Sequence, residues 1–274
     1  MSVLVLAPRS TETDRQLVGA ALRRGMRAER LSGWRVPPEL RGVAAHVYAG
    51  PLFADAVAGG LGVALLEVPE TWLPGVPAEF LGRRVWAATL AEVRSGFAGP
   101  LFVKPPNEKL FAAGVYADAG VLPSPELVDA DTLVLVSDVV RFGAEFRAFC
   151  LDGRVVAVSR YAVDGDLAVA PADECPDGAD AWAFAQRALD AEAGRLPSAV
   201  VVDVGRIGVA EPGSPQRAGV GGWAVVEANA AWACGGYTCD PDAVLEVVLR
   251  ASGPAGAVRA RDAGFVRAAA VVEG

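Results

Sequence analysis

The pattern of apolar residues changes near residue 85, and this change limits the folds that the chain can adopt. Before residue 85, strand-like and helical runs alternate, which is typical of a small α/β lobe with a largely parallel sheet. The run VLVLAP at residues 3–8 is continuously apolar, as strands buried on both faces are. After residue 85, strand-like runs predominate. The pattern therefore predicts an α/β lobe followed by an α+β region.

Cap and turn residues mark the ends of several predicted elements. A threonine followed three residues later by an acidic residue forms a capping box, and proline suits the first position of a helix. The dipeptide Asp-Gly between two alternating runs predicts a two-residue hairpin turn. These signals are Thr11 with Asp14, Thr89 with Glu92, Asp152 with Gly153, and Asp240 with Pro241.

Composition argues against several classes of protein. A net charge of −8 argues against a nucleic-acid partner. No run reaches the roughly 18 uncharged apolar residues of a membrane helix, and the N-terminus lacks a basic leader, so we expect a cytoplasmic protein without a membrane partner. The four cysteines show no CxxC spacing and are expected to be reduced. His46, the only histidine, is predicted to be a packed core residue, which disfavours histidine-based catalysis or zinc binding.

Lysine occurs at only two positions, although the chain contains 25 Lys and Arg residues in total. Lys104 and Lys109 both lie in LFVKPPNEKLF, residues 101–111. Lysine is a compact point charge on a flexible stem, which fits among phosphate oxygens better than a planar guanidinium does. Two such charges on neighbouring backbone segments suit a polyphosphate. The alternative is a chance survival of two lysines on a solvated loop.

Acidic and amide side chains follow in two later strands. Glu227 and Asn229 in VVEANAAW are two positions apart on a predicted strand, so they project from the same face. Asp203 lies in the apolar run VVVDVGRI, where a charge is costly unless it is paired or bound to a metal. One or two carboxylates with waters and phosphates are the usual environment of Mg²⁺. The alternative is a strand end with ordinary polar residues.

Two further segments are open to more than one interpretation. Glu145 and Arg147 share one face of the strand EFRAF, where Arg147 forms either a cross-strand ion pair or a clamp for an anion. The segment LVLVSDVV, residues 133–140, runs from an apolar strand into a short polar step. Such a step can present main-chain amides to an adenine edge, although many buried strands have the same pattern.

The order of these pieces resembles the ATP-grasp superfamily, from about residue 84 to about residue 250. The resemblance rests on FVKP, LVSDVV, EFR, VVDVG and VEAN. It implies a Rossmann-like N-terminal lobe over residues 1–85 and a two-subdomain ATP-grasp fold over residues 86–252. Residues 253–274 form a C-terminal tail whose Ala/Gly-rich pattern leaves helix and loop open.

The resemblance also implies a role for each candidate residue. Many members carry a glycine-rich loop after the first lysine, whereas this chain has the sequence PPNE at 105–108. The nearest upstream basic residues are Arg83, Arg84 and Arg94, so Lys109 is taken to replace the family's second lysine, as in a divergent two-lysine branch. The implied roles are phosphate contacts for Lys104 and Lys109, adenine and cofactor contacts for Val136, Ser137, Asp138 and Glu145, and Mg²⁺ ligands in Asp203, Glu227 and Asn229.

The function implied by the resemblance is an ATP- and Mg²⁺-dependent ligase that releases ADP. It would activate a carboxylate as an acyl-phosphate and couple it to an amine or thiol, with Lys104, Lys109 and Arg147 as catalytic residues. Phosphoryl transfer needs positioning and charge stabilisation rather than a protein nucleophile, which suits this chain. The alternatives are a kinase-like phosphotransferase on the same fold and a nucleotide-binding regulatory protein without turnover.

The expected partners are small-molecule or peptide carboxylates and amines. Arg160, Tyr161 and residues 232–237 are the candidates for the border of the acceptor pocket. A homodimer is left open.

Overall fold

The protein is described by a computed structural model that covers residues 2–107, 110–208 and 222–268. Its α-helices are α1 (Glu12–Arg23), α2 (Pro51–Leu61), α3 (Ala78–Leu81), α4 (Leu90–Arg94), α5 (Gly178–Ala191) and α6 (Pro241–Ala251). Its strands are β1 (Val3–Leu6), β2 (Arg27–Arg30), β3 (Ala45–Tyr48), β4 (Val63–Leu65), β5 (Val85–Thr89), β6 (Leu101–Lys104), β7 (Gly114–Tyr116), β8 (Leu133–Ser137), β9 (Phe142–Leu151), β10 (Arg154–Val163), β11 (Asp166–Pro171), β12 (Ala199–Ile207), β13 (Trp223–Asn229) and β14 (Ser252–Pro254). None of the helices in these ranges is long and apolar enough to cross a membrane.

The N-terminal lobe contains the predicted parallel sheet, in the order β2-β1-β3. All four residues of β1 are buried, because this central strand is covered on both faces. The α1 capping box is present as predicted, with reciprocal hydrogen bonds between Thr11 and Asp14. The α/β character predicted for this lobe is confirmed.

Distant parts of the chain complete the core of this lobe. Val244, Leu245 and Val248 of α6 are fully buried in the same apolar cluster as β1 and β3. The strand β14 pairs with β4, and Leu66 forms a bridge with Val266. The described part of the predicted tail, residues 253–268, thus contains a strand end and short 3₁₀ turns but no α-helix.

A four-stranded antiparallel sheet, β5-β8-β6-β7, follows in the chain. It has its own small core, which includes Leu90, Val103 and Val134. The capping box of Thr89 and Glu92 begins α4 directly after β5, as predicted. The sheet carries Lys104 at the end of β6 and Ser137 at the end of β8.

A five-stranded antiparallel sheet, β11-β10-β9-β12-β13, forms the remaining layer. The hairpin of β9 and β10 turns at Asp152 and Gly153, whose φ angles of 51° and 79° suit the predicted two-residue turn. The register places Asp203 of β12 opposite Arg147 of β9 on one side and Glu227 of β13 on the other. Three charged side chains are therefore brought into one row across the sheet.

Candidate functional site

Three adjoining cavities lie between the two antiparallel sheets and the N-terminal lobe, and Glu227 lines each of them. Cavity A lies at the ends of β6 and β8, and its apolar wall includes Val85, Phe102 and Leu135. Its remaining wall is supplied by β9 and β13. The space is thus enclosed by both sheets, with apolar faces available to a flat ring.

The other two cavities continue from cavity A toward the N-terminal lobe. Cavity B lies beside residues 105–107 and is shared with cavity A through Lys104. Cavity C lies against residues 50–51 of the lobe and is shared with cavity B through Asn107 and Asn229. The three cavities form one continuous row, along which an elongated ligand could lie.

Lys104 and Glu227 form an ion pair between the two sheets. The Lys104 ammonium donates a hydrogen bond to Glu227 Oε2, and Asn229 Nδ2 donates to Glu227 Oε1 over 2.9 Å. Burial alone would raise the pKa of Glu227, but the Lys104 charge more than offsets it, so this pKa lies below its ordinary value. Glu227 is therefore ionised at neutral pH and joins the sheets on either side of the cavities.

Arg147 and Asp203 form a second, more deeply buried pair. Arg147 Nε and Nη2 lie 2.9 and 2.7 Å from the two oxygens of Asp203, whose side chain is 0% exposed. Burial raises the pKa of Asp203, and the Arg147 guanidinium opposes this shift. The cross-strand ion pair left open by the sequence is thus formed with Asp203 rather than with Glu145. Glu145 instead accepts a hydrogen bond from the Tyr161 hydroxyl over 2.7 Å.

The binding mode of Asp203 leaves one side of Arg147 directed elsewhere. The carboxylate occupies the edge of the guanidinium formed by Nε and Nη2. Nη1 lies 3.4 Å from the carbonyl oxygen of Gly235, and the side chain lines cavity C. The outer edge, formed by Nη1 and Nη2, has the geometry that binds carboxylates and phosphates through two parallel hydrogen bonds.

The segment predicted to contact adenine lies at cavity A. Val136 and Ser137 end β8, and the Asp138 amide donates to the carbonyl of Arg84 over 3.1 Å. The Asp138 carboxylate pairs with the Arg84 guanidinium at 2.6 Å. The next residues, 139–140, line cavity A between β8 and β9, outside both strand ladders. Main-chain groups of these two residues are therefore better placed for an adenine edge than the Asp138 amide.

Arg83 also lines cavity A, although it is absent from the set predicted from the sequence. Its guanidinium donates to the carbonyls of Leu81, Val225 and Val226 at 2.9–3.2 Å and lies over the Phe142 ring. Burial lowers the pKa of Arg83 to about 10, against the opposing effect of nearby carboxylates. Arg83 remains charged at neutral pH and adds a cation to the wall of this cavity. The only signal in the sequence is the pair of arginines at 83–84, upstream of Lys104.

The remaining predicted positions are placed as follows. Lys109 lies outside the described residues, so its contact with phosphate stays a prediction. Residues 232–235 and 237 line cavity C, as expected for the acceptor border, whereas Arg160 Nε donates to the Ala168 carbonyl on β11. His46 is half-buried rather than fully buried, and its Nδ1 lies within 3 Å of the Leu249 and Ser252 carbonyls. The four cysteines are unpaired.

The predicted magnesium ligands are close neighbours in the structure. Asn229 Nδ2 lies 2.9 Å from Glu227 and 3.3 Å from Asp203. Within the described ranges, no group of three or more His, Cys, Asp or Glu side chains could hold a metal ion by itself. Mg²⁺ usually takes one or two carboxylates and completes its shell with waters and phosphates, so Glu227 and Asn229, which line cavities B and C, fit this ion. Both Asp203 oxygens are bound by Arg147.

Comparisons with known proteins place this geometry in context. A family model for an ATP-grasp domain, the second family of one clade of that superfamily, matches residues 80–247. No curated relative matches the chain. The RimK domain protein ATP-grasp of Sphaerobacter thermophilus DSM 20745 shares the fold with a TM-score of 0.56 at 16% identity, over 91% of this chain and 100% of that chain.

Two further solved structures are similar at a lower level. D-alanine–D-alanine ligase from Bacillus anthracis matches with a TM-score of 0.49 at 11% identity, over 91% of this chain and 96% of that chain. The ATP-grasp ligase PsnB, complexed with a minimal precursor, matches with a TM-score of 0.46 at 13% identity, over 92% and 99%. These two similarities are too low to carry an argument about this chain.

Proposed function

Because this chain belongs to the ATP-grasp domain family whose model spans residues 80–247, we propose that it is an ATP- and Mg²⁺-dependent ligase. The observation that carries the proposal is the row of cavities that Glu227 joins, with Lys104, Arg83 and Arg147 on its walls. An elongated polyanion with a flat ring at one end matches this sequence of an apolar cavity followed by cations. ATP has this shape and charge.

The adenine ring occupies cavity A in the proposed complex. Val85, Phe102 and Leu135 contact its faces, and the main chain of residues 139–140 contacts its edge. The phosphates then extend toward Lys104 and cavity B, with Arg83 as a second cation. Lys109 is proposed as a further phosphate contact. Glu145, at the wall of cavity A, is proposed to contact the ribose.

Glu227 and Asn229 are proposed to hold Mg²⁺ at the passage from cavity B to cavity C, with Asp203 as the third member of the set. The ion would neutralise part of the phosphate charge when bound. Lys104 already pairs with Glu227, so the carboxylate is kept ionised and in place. Asp203 also fixes Arg147, which links the predicted metal set to the next residue along the row.

Arg147 is proposed to bind the substrate group that receives the γ-phosphoryl. Its outer edge faces cavity C, where a substrate carboxylate or the resulting acyl-phosphate would accept two hydrogen bonds. The same cation would stabilise the oxyanion formed when an amine or thiol attacks the acyl carbon. The substrate carboxylate and its acceptor are therefore assigned to cavity C, and carbon–nitrogen bond formation is the proposed outcome.

Nucleotide binding is the first part of the proposal to test. At 100 times Kd a ligand stabilises the folded state by about 2.7 kcal/mol, so millimolar Mg-ATP is expected to raise the melting temperature clearly. Lys104→Met should reduce this shift. Arg206→Met is the matched control, because Arg206 lies on the same sheet as Arg147 but pairs with the exposed Asp177 away from the cavities. A wild-type protein without any shift would contradict the assignment of cavity A.

Turnover is tested separately, by incubation with Mg-ATP and a pooled set of carboxylates and amines. The ligase predicts ADP together with a new mass equal to the two substrates less water. A stable phosphorylated product would instead indicate the kinase alternative, and nucleotide binding without any ADP release would indicate the regulatory one.

A further inference from the structure

Tyr237 has a strained backbone at the edge of cavity C. Its φ angle is +49°, a left-handed conformation that costs a side-chain-bearing residue roughly 1–2 kcal/mol. The other described non-glycine residues with positive φ are Asp152 and Asp164, each followed by glycine in a turn between strands. Aspartate tolerates this conformation, whereas a bulky residue rarely adopts it. Strain of this kind persists only where the surroundings enforce it, and it is concentrated at functional sites.

The surroundings that enforce the conformation belong to α1. The Gly236 amide donates to Thr13 Oγ1 over 2.9 Å, and the Tyr237 carbonyl accepts from Gln16 Nε2 at 3.4 Å. The Cys239 amide donates to the Gly236 carbonyl over 3.0 Å and closes the turn. The main chain on both sides of the Tyr237 side chain is therefore fixed to the N-terminal lobe, and this directs the ring toward cavity C.

The Tyr237 ring lies against Arg147. Its centroid is 5.2 Å from Arg147 Cζ, and the ring stacks on Tyr161 with centroids 5.6 Å apart and an angle of 12° between planes. Tyr161 is also near Arg147, at 5.4 Å, and its hydroxyl is held by Glu145. Asp203 fixes one edge of the guanidinium, but a single carboxylate leaves the plane free to tilt about that edge. The stacked rings remove this freedom.

We propose that Tyr237 is a positioning residue for Arg147, and that its ring keeps the outer edge of the guanidinium directed into cavity C. The strained backbone is retained because only this conformation, anchored on α1, brings the ring from the 235–239 turn onto Arg147. The inference rests on the proposed role of Arg147 as the anion contact. It adds a link between the N-terminal lobe and the reacting group that passes through one aromatic ring.

The test separates the ring from the backbone conformation. Tyr237→Asn removes the ring but keeps a residue that tolerates positive φ, and Tyr237→Phe keeps the ring and removes only the hydroxyl. Asp164→Asn is the control, because it changes another positive-φ position in an exposed turn. Misplacement of a reacting group by about 1 Å can cost on the order of a hundredfold in rate. We expect such a loss of ADP release in Tyr237→Asn, with Tyr237→Phe and the control close to wild type.

Two binding readouts keep the proposal distinct from the proposed function. Tyr237 lines cavity C and not cavity A, so the affinity for Mg-ATP should be unchanged in each variant. The side-chain ¹⁵N–¹H resonance of Arg147 Nε, assigned by its loss in Arg147→Lys, should shift in Tyr237→Asn and stay in place in Tyr237→Phe. This second readout needs no substrate and applies even if no ligase activity is found.

Three outcomes would overturn the positioning role. One is an unchanged Arg147 resonance in Tyr237→Asn. Another is wild-type turnover per folded molecule in that variant, wherever turnover can be measured. The third is an equal loss in Tyr237→Phe, which would assign the effect to the hydroxyl instead of the ring.

Discussion

At the scale of single residues, the buried pair of Arg147 and Asp203 is the feature with the largest energetic consequence. Asp203 is fully buried and Arg147 is 11% exposed, so each charge depends on the other for compensation. Removal of one partner leaves an uncompensated buried charge, which costs more than the pair itself contributes. The pair is thus required for the fold as well as for the proposed anion contact.

Replacement of Asp203 by Asn is expected to lower the free energy of unfolding by about 3–5 kcal/mol, because Arg147 would remain buried without its carboxylate. Urea denaturation of wild type and variant measures this difference. Asp177→Asn is the matched control: its pair with Arg206 is exposed and should contribute no more than about 1 kcal/mol. Equal effects of the two substitutions would show that the Arg147 charge is compensated by other groups.

At the scale of elements, the start of α1 combines a cap with an ion pair. The Asp14 carboxylate accepts from the Thr11 amide over 2.6 Å and from Arg30 Nη2 over 2.7 Å. Burial alone would raise the pKa of Asp14, but the hydrogen bonds from Arg30 and Thr11 more than offset it, so this pKa lies below its ordinary value of 3.8. The ionised carboxylate therefore stabilises the helix start and its contact with β2.

Asp14→Asn is expected to reduce the free energy of unfolding by about 1–3 kcal/mol at pH 7, as hydrogen bonds to a charged group are lost. The folded-state pKa is the lower one, so this contribution is present above the unfolded-state pKa and is lost as pH falls through the folded-state value. Stability curves for wild type and variant should therefore converge at acid pH, below 3.8. Glu92→Gln, in the exposed capping box of α4, is expected to have a smaller effect at pH 7.

At the scale of the whole molecule, the N-terminal lobe and α6 share one core. Leu245 and Val248 of α6 are fully buried beside Leu4 and Val47 of the lobe. Phe149 of β9 belongs to the same cluster, so the five-stranded sheet also contacts this core. We therefore expect the lobe and the sheet to unfold together.

Leu245→Ala should destabilise the protein by about 2–5 kcal/mol, because it opens a cavity in the shared core. Tryptophan fluorescence and far-UV circular dichroism are expected to report one coincident transition, shifted to lower denaturant. Leu127→Ala, at a leucine that is 80% exposed, should change stability by less than about 0.5 kcal/mol. An early, separate transition in Leu245→Ala would mean that the lobe unfolds independently.

Local signals in the sequence predict many elements, whereas sheet edges escape them. The capping boxes, the Asp152 and Gly153 turn and the Asp240 cap are confirmed because their hydrogen bonds lie within a few residues. The strand β2, with the sequence RAER, has no apolar pattern and exists through its pairing with β1. The strand β11 is likewise held at a sheet edge by β10. Such strands depend on partners that a local pattern does not reveal.

The candidate site shows the same division between local and long-range information. Residue types identify Lys104, Arg147 and Glu227, and the structure brings them around one row of cavities. The partner of Arg147 is set by the register of β9 and β12, which the sequence does not specify. Arg83 is held by main-chain carbonyls, which every residue carries and no sequence motif marks. The roles of all these residues in binding and catalysis remain predictions for the experiments above.

The shared core of the N-terminal lobe has a consequence for biosynthesis. The strands β1 and β3 leave the ribosome early, whereas the α6 side chains that cover them are synthesised most of a chain length later. At about 5–20 residues per second this delay is on the order of ten seconds or more. During that interval the apolar surface around Leu4 and Val47 is available on the nascent chain to any chaperone that binds extended apolar segments. Translation speed between codons 65 and 244 should therefore affect the yield of active protein, even where the encoded sequence is unchanged.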